Sequence, residues 1–388
     1  MMNGWKARIA GPLVTALVLL VVAFSTGNVI FLTAAALLLI CVLMGFFSVW
    51  QAVRTLSVET RLADRLVRRG EDVLLEISVR HQGLLPIAPL TVHLAATPDA
   101  PEAELTLRDM PGKRQRLQLP FHAAHIGVSR PGVKAVTVSD LFGLFSVTKA
   151  PEVAGSELIV VPTPFEVEAL TFAPGDSGLE TMARATEDVN NPADVRGYQP
   201  GDAMKKIHWK LSLRKRELMV RRFEEPVLPD ALVLMDCSAP PKIGHEEAEA
   251  DMRDALLETA ASVMAQTMHT EHAARLPLPG EHPVELYKGM GMPMILENLA
   301  RADFSETDRF ERVLLLETRR MRRVGATVII SARLNSRMVD VMTRMRKMGP
   351  YVRFYFVTFT PDAESVLPLI SKLQQGLVEV CYVTPVPA

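Results

Sequence analysis

Residues 9–53 read IAGPLVTALVLLVVAFSTGNVIFLTAAALLLICVLMGFFSVWQAV, and none of them is charged. As one helix, rising about 1.5 Å per residue, this run would far exceed a bilayer core of about 30 Å. It must therefore be broken. Ser25, Thr26, Gly27 and Asn28 are four residues that favour turns, and they divide the run into two spans over residues 9–24 and 29–50. Trp5 and Trp50 stand at the ends, where indole rings prefer the membrane interface. Lys6 and Arg8 precede the first span; Arg54, Arg61, Arg65, Arg68 and Arg69 follow the second, and the turn between carries no charge. Counted by the positive-inside rule, both flanks lie in the cytoplasm. The expectation is a multi-pass chain in the cytoplasmic membrane with its bulk on the cytoplasmic side. A cleaved signal peptide is the rival, and the second apolar span that follows at once argues against it.

Behind this hairpin the period changes. Val73, Leu75, Ile77 and Val79 alternate with Leu74, Glu76, Ser78 and Arg80, and similar alternation recurs at residues 90–94 and 117–121. Short alternating stretches between Pro/Gly turns predict a small β-sandwich-like domain over residues 56–162. It ends near Asp140-Leu141-Phe142-Gly143-Leu144-Phe145 and shows no catalytic constellation. Residues 163–230 read as a linker that carries a dense motif. From residue 231 strands and helices alternate: strands at 231–235, 284–287, 326–331, 352–358 and 378–383, helices at 246–269, 307–323, 336–348 and 363–374. That order predicts a doubly wound, mostly parallel α/β domain over residues 231–388, with ligands expected at the carboxyl ends of its strands.

Bulk properties exclude some functions. The 388 residues carry 43 Lys and Arg against 44 Asp and Glu, so no bulk charge draws the chain to nucleic acid. The three cysteines, Cys41, Cys237 and Cys381, form neither a CxxC pair nor a metal-ligand spacing. There is no P-loop, no G-x-S-x-G, no H-E-x-x-H and no G-x-G-x-x-G after a strand.

The motif runs through Arg196, Tyr198, Pro200, Gly201 and Asp202, then Ile207, His208 and Trp209, then Ser212 and Arg214, and closes on Leu218, Val220, Arg221, Phe223 and Glu224. Pro200-Gly201 signals a type II turn, and Asp202 is placed to cap a short helix. This pattern resembles that of the bacterial and archaeal family called domain of unknown function 58. The resemblance implies two N-terminal spans, a β region ending in a D-x-F-G-L-F stretch, this motif, and a von Willebrand factor A-like α/β domain. It further implies a MoxR-type AAA+ ATPase as partner, with a transglutaminase-like membrane protein beside it, and a role as a non-catalytic adaptor or assembly factor. The motif's apolar members Tyr198, Ile207, Trp209, Leu218, Val220 and Phe223 suggest a packed, structural segment with Trp209 buried.

Three candidate sites remain. A von Willebrand A fold can hold a divalent cation through D-x-S-x-S and residues of two further loops, with oxygens suited to Mg²⁺. Here only Asp236 and Ser238 survive; Pro240 replaces the second Ser, no Asp follows the strand at 326–331, and Arg333 would repel a cation. The degenerate pair supports an alternative reading as a metal-dependent protein-binding domain, but no cofactor is expected. A thiol enzyme built from Cys237, His208 and Asp236 is disfavoured, because a small buried residue at a strand end explains Cys237. Lys205, Lys206, Lys210 and Arg214, within a basic cluster that continues through Lys215, Arg216, Arg221 and Arg222, are candidates for an acidic partner surface or anionic lipid.

Overall fold

The computed structural model describes residues 5–80, 90–97, 99–107, 115–151, 156–172, 194–199, 204, 207–222, 230–241, 244–270, 272–278, 284–286, 291–304, 310–319 and 324–387. The chain forms two compact units, residues 1–161 and 162–387.

The first unit begins with helices α1 (Trp5–Thr26) and α2 (Val29–Thr55), both long and apolar enough to cross a membrane. They pack on each other. Gly27, at φ +65°, makes the left-handed step between them, and the Asn28 side chain caps α2 by accepting the Ile30 N–H at 3.0 Å. Small residues are buried along the pair, Ala16, Ala23 and Ala35, while Leu17, Val21, Leu37 and Leu43 are exposed. That is the arrangement of helices that meet by close backbone approach and turn their large side chains outward.

Among the described residues ten strands follow: β1 (Ser57–Leu62), β2 (Leu66–Arg68), β3 (Asp72–Arg80), β4 (Leu90–Leu94), β5 (Glu104–Leu107), β6 (Gln115–His122), β7 (Gly127–Ser129), β8 (Val133–Ser139), β9 (Ser146–Lys149) and β10 (Leu158–Val161). They build an antiparallel sheet β1-β3-β6, an antiparallel sheet β5-β4-β8-β9 and a small mixed sheet β2-β10-β7. Leu75, Ile77 and Val79 of β3 share one core with Leu90 and Val92 of β4 and Val136 and Val138 of β8. The period-two alternation turns these residues inward from both sheets. Ala52 and Leu56, at the end of α2, lie in the same core. The helix therefore runs from its apolar stretch directly into the β unit, and Lys149 Nζ donates to the Val53 carbonyl at 3.3 Å.

The second unit opens with a hairpin of β11 (Asp194–Gly197) and β12 (Met219–Arg222), which enclose the short helix α3 (Trp209–Lys215). Then come β13 (Asp230–Met235), α4 (Glu246–His269), β14 (Ala274–Leu276), β15 (Val284–Leu286), α5 (Met292–Ala300), α6 (Phe310–Thr318), β16 (Val324–Ser331), α7 (Ser336–Lys347), β17 (Tyr351–Val357), α8 (Leu367–Gln375) and β18 (Glu379–Val383). Six strands form one sheet in the order β15-β14-β13-β16-β17-β18, parallel except for the β14-β15 pair. β14 and α5 have no counterpart in the sequence reading; a three-residue strand, Ala-Arg-Leu, is too short to show a period.

The strand order turns back on itself between β13 and β16. The chain builds outward through β14 and β15, then returns to lay β16 on the other side of β13. The right-handed rule for such crossovers puts α4 on one face and α7 and α8 on the other. Leu232, Leu234, Phe354 and Phe356 pack under Met338, Met342 and Ile370 of the latter pair. α4 buries Leu256, Ala260, Val263 and Met264 and packs on β13, β14, β16 and β17. At this reversal lie the carboxyl ends of β13 and β16, the place where open α/β sheets bind ligands.

Candidate functional site

Asp236 and Ser331 meet at that reversal. Asp236 immediately follows β13, is buried, and its own N–H donates to the Ile330 carbonyl of β16 at 2.9 Å. Its Oδ2 accepts from the Ser331 hydroxyl at 2.7 Å. Its Oδ1 accepts from the Ser238 N–H at 3.1 Å and from the Ser238 hydroxyl. Ser331 in turn accepts the Arg333 N–H at 3.0 Å. The Arg333 guanidinium closes the group, donating to Ser238 Oγ at 3.2 Å and to the Ala239 carbonyl.

The oxygens that a divalent cation would need are engaged by the protein itself in this arrangement. Both Asp236 oxygens already serve the loop, and the Ser238 hydroxyl and Ala239 carbonyl, the neutral oxygens a metal would need, face a guanidinium. Two like charges a few ångströms apart repel, and an Arg keeps its charge at any ordinary pH. The chain has placed its own cation there. The sequence singled out Asp236, Ser238 and Arg333 but missed Ser331, whose signal was its place at the end of the strand beside β13.

Cys237 is buried, with its Sγ 3.7 Å from the Met235 carbonyl. The His208 ring is engaged elsewhere: Nδ1 accepts the Leu211 N–H at 3.3 Å and caps α3.

The motif hairpin separates into an inner and an outer set. Inside are Ile207, Ser212, Met219 and Val220. The Ser212 hydroxyl accepts the Met219 N–H at 2.8 Å and donates to the His208 carbonyl at 3.0 Å, pinning α3 to β12. His208 N–H donates to the Met219 carbonyl at 2.7 Å, and Tyr198 N–H to the Leu218 carbonyl at 2.8 Å. Outside are Met204 (74% exposed), Trp209 (57%), Leu213 (79%) and Leu218 (46%), with Tyr198 less so. The expectation of a buried Trp209 is overturned. Trp209 and Leu213 are one turn apart and share an exposed face, while Ser212 takes the inner position because its hydroxyl satisfies two backbone groups. Lys210 and Arg214 are exposed on the same helix. Arg196 and Arg221 lie in β11 and β12, side by side with Val220 and Val195 respectively. Pro200, Gly201, Asp202, Lys205, Lys206, Phe223 and Glu224 lie outside the described residues.

A second polar group ties residues 162–172 to the sheet. The buried Arg353 of β17 donates to Glu379 Oε2 at 2.8 Å and to the carbonyls of Glu168 and Ala169 at 2.7 and 3.2 Å. Burial raises the pKa of the neighbouring Tyr355 and of Cys381, so both stay protonated. Phe165 N–H donates to the Ser262 hydroxyl of α4 at 2.9 Å. These contacts hold an irregular segment in place and offer no reacting pair.

No curated protein matches the chain. Among solved structures it is similar to the sporulation control protein Spo0M from Bacillus subtilis (16% identity, 37% of this chain and 58% of that one, TM-score 0.16). It is similar also to Cwp6 from Clostridium difficile (9% identity, 84% and 53%, TM-score 0.19) and to a β-glucosidase from Listeria innocua (11% identity, 26% and 16%, TM-score 0.15). The chain spans between 16% and 58% of these proteins' lengths, and at such TM-scores none of the likenesses bears on its fold or function. The informative match covers the motif hairpin and the sheet as far as α8: residues 194–376 fit the model of the family described as Protein of unknown function DUF58.

Proposed function

We propose that this chain is a non-catalytic adaptor or assembly factor, anchored in the bacterial or archaeal cytoplasmic membrane by α1 and α2. Its α/β domain, of the von Willebrand A-like type, is presented to a cytoplasmic MoxR-type AAA+ ATPase, with a transglutaminase-like membrane protein as a further member of the assembly. The observation that carries this reading is the outward apolar set of Met204, Trp209, Leu213 and Leu218 on the family segment. A large aromatic exposed beside aliphatic side chains on one hairpin, with Lys210 and Arg214 at its border, has the make-up of a protein-binding hot spot. The self-supplied guanidinium at Asp236 argues against the alternative, a metal-dependent binding domain using Asp236 and Ser238.

The test is capture of the ATPase by the full chain in detergent. Trp209→Ala with Leu213→Ala should weaken capture about tenfold or more, and Lys210→Glu with Arg214→Glu should weaken it more at low salt than at high. Unchanged capture in both pairs would refute the surface. A reporter fused after Arg69 should remain cytoplasmic; its export would refute the orientation.

A further inference from the structure

We propose that the groove between the last turns of α2 and strand β9 binds a phospholipid, one acyl chain lying in the groove and the headgroup phosphate meeting Arg54. The proposal rests on the reading of α1 and α2 as membrane spans. The groove has a volume of about 230 Å³ and is walled by Phe46, Val49, Val53, Phe145 and Val147. Among the described residues Arg54 is the one charged residue lining it; it is exposed and holds its guanidinium 4.0 Å above the Trp50 ring.

The depth of the groove follows from helix geometry. At about 1.5 Å per residue, roughly 30 Å of apolar helix runs from Val29 to Val49, one bilayer core. Arg54 lies about 7 Å beyond, at the level of headgroups. The groove thus straddles the boundary between hydrocarbon and headgroup.

The β unit reaches the same boundary through the turn after β8. Asp140 is buried; its Oδ2 accepts the Phe142 N–H at 3.0 Å and its Oδ1 the Phe145 N–H at 2.7 Å. Gly143, at φ +69°, lets this tight turn close. The carboxylate lies against α2 at Gly45, where a Cβ would meet Asp140 Oδ2 at 2.8 Å. Only glycine admits the turn so close. Phe145 then packs edge-on against Phe46, with ring centroids 5.7 Å apart. The docking level, Gly45, lies within the apolar length of α2, so Leu141 and Phe142, 58% and 55% exposed, are carried at the membrane edge.

Continuity selects the occupant. The groove opens onto a helix whose exposed side chains from Val29 to Trp50 are apolar save Thr33, whose hydroxyl donates to the Ile30 carbonyl at 2.9 Å, so its natural neighbour is lipid. A peptide in the groove would have to satisfy its own backbone N–H and C=O groups, and these walls give it little to bond to; an acyl chain has none to satisfy. The guanidinium matches the remaining part of the molecule, a phosphate at headgroup depth.

The experiment uses the full chain with Trp5→Phe and Trp209→Phe, which leaves Trp50 as its sole indole, reconstituted in vesicles of brominated phosphatidylcholine or brominated phosphatidylglycerol. Bromine on the acyl chain quenches an indole it touches. Both lipids should quench Trp50. The anionic lipid should reach half-quenching at about a fivefold lower fraction, the factor expected of one basic side chain at a membrane surface. Arg54→Gln should abolish that preference, and Ser146→Phe, which fills the groove, should reduce quenching by both lipids. Quenching by the two lipids that is unaltered in both Arg54→Gln and Ser146→Phe would overturn the groove and leave the spans standing. No quenching by either lipid would overturn the spans, and the groove with them.

Discussion

Asp140 and Asp236 occupy the same kind of place in two different sheets. Each follows the last residue of a strand, each is buried, and each accepts the N–H of the residue two positions on, at 3.0 Å and 3.1 Å. They differ in where the second oxygen goes. Asp140 gives it to Phe145 N–H, five residues away, so its carboxylate is satisfied by its own turn. Asp236 gives it to the hydroxyl of Ser331, 95 residues away, and stands beside Arg333. One carboxylate shapes a loop that then docks elsewhere as a finished piece. The other joins two strands and exists as a site only after the sheet has formed. A buried Asp at a strand end therefore means different things according to whether its partners are local.

The largest effect should come from the long-range member. Asp236→Ala removes the acceptor for the Ser238 hydroxyl and one of two acceptors for that of Ser331, and leaves the nearby guanidinium without its carboxylate. It should cost about 3 kcal/mol, read as a lowered denaturant midpoint of the full chain in detergent. A loss no greater than that of Asp140→Ala would erase the distinction between the two carboxylates.

Next is the docking of the local turn. Gly45→Leu drives a side chain into Asp140 and should cost about 1–3 kcal/mol, with residues 141–145 becoming open to protease. Asp140→Ala should open the same residues to cleavage while sparing the helix pair. Protection of the turn in Gly45→Leu would show that the approach of Asp140 to α2 is not what holds it.

A smaller contrast lies in the motif hairpin. Ser212→Ala removes a hydroxyl that serves Met219 and His208 and should cost about 1 kcal/mol. Trp209→Ala, at an exposed position, should cost less than that in thermal melting while impairing capture of the partner. The reverse order would make Trp209 a packing residue after all.

The smallest effect expected is none. Millimolar Mg²⁺ should leave the melting temperature of the full chain unchanged, because a ligand that binds the native state must stabilise it and Arg333 already stands among the oxygens. A saturable rise, lost in Asp236→Ala, would restore the metal reading.

How much was legible depended on the range of the interactions concerned. The apolar helices could be read because an uncharged run longer than a bilayer has to break, and Gly27 and Asn28 are the residues that break it. The strands of the β unit could be read where alternation lasted, as over residues 73–79. The face of α3 could not: seven residues make two turns, too few for a period to say whether Trp209 or Ser212 turns inward. The hydroxyl's two backbone bonds decided it.

The sequence by itself determined the membrane-length helices, the alternation of strand and helix after residue 231, and the candidates Asp236, Ser238 and Arg333, since each of these rests on neighbours along the chain. Tertiary structure alone decided that Asp236 finds Ser331 and that Asp140 finds Gly45. Both pairs lie 95 residues apart, the second by subtracting 45 from 140. A periodicity or a turn signal reports a residue's local conformation. Which distant residue it meets is set by strand order and helix docking, and no local pattern encodes either.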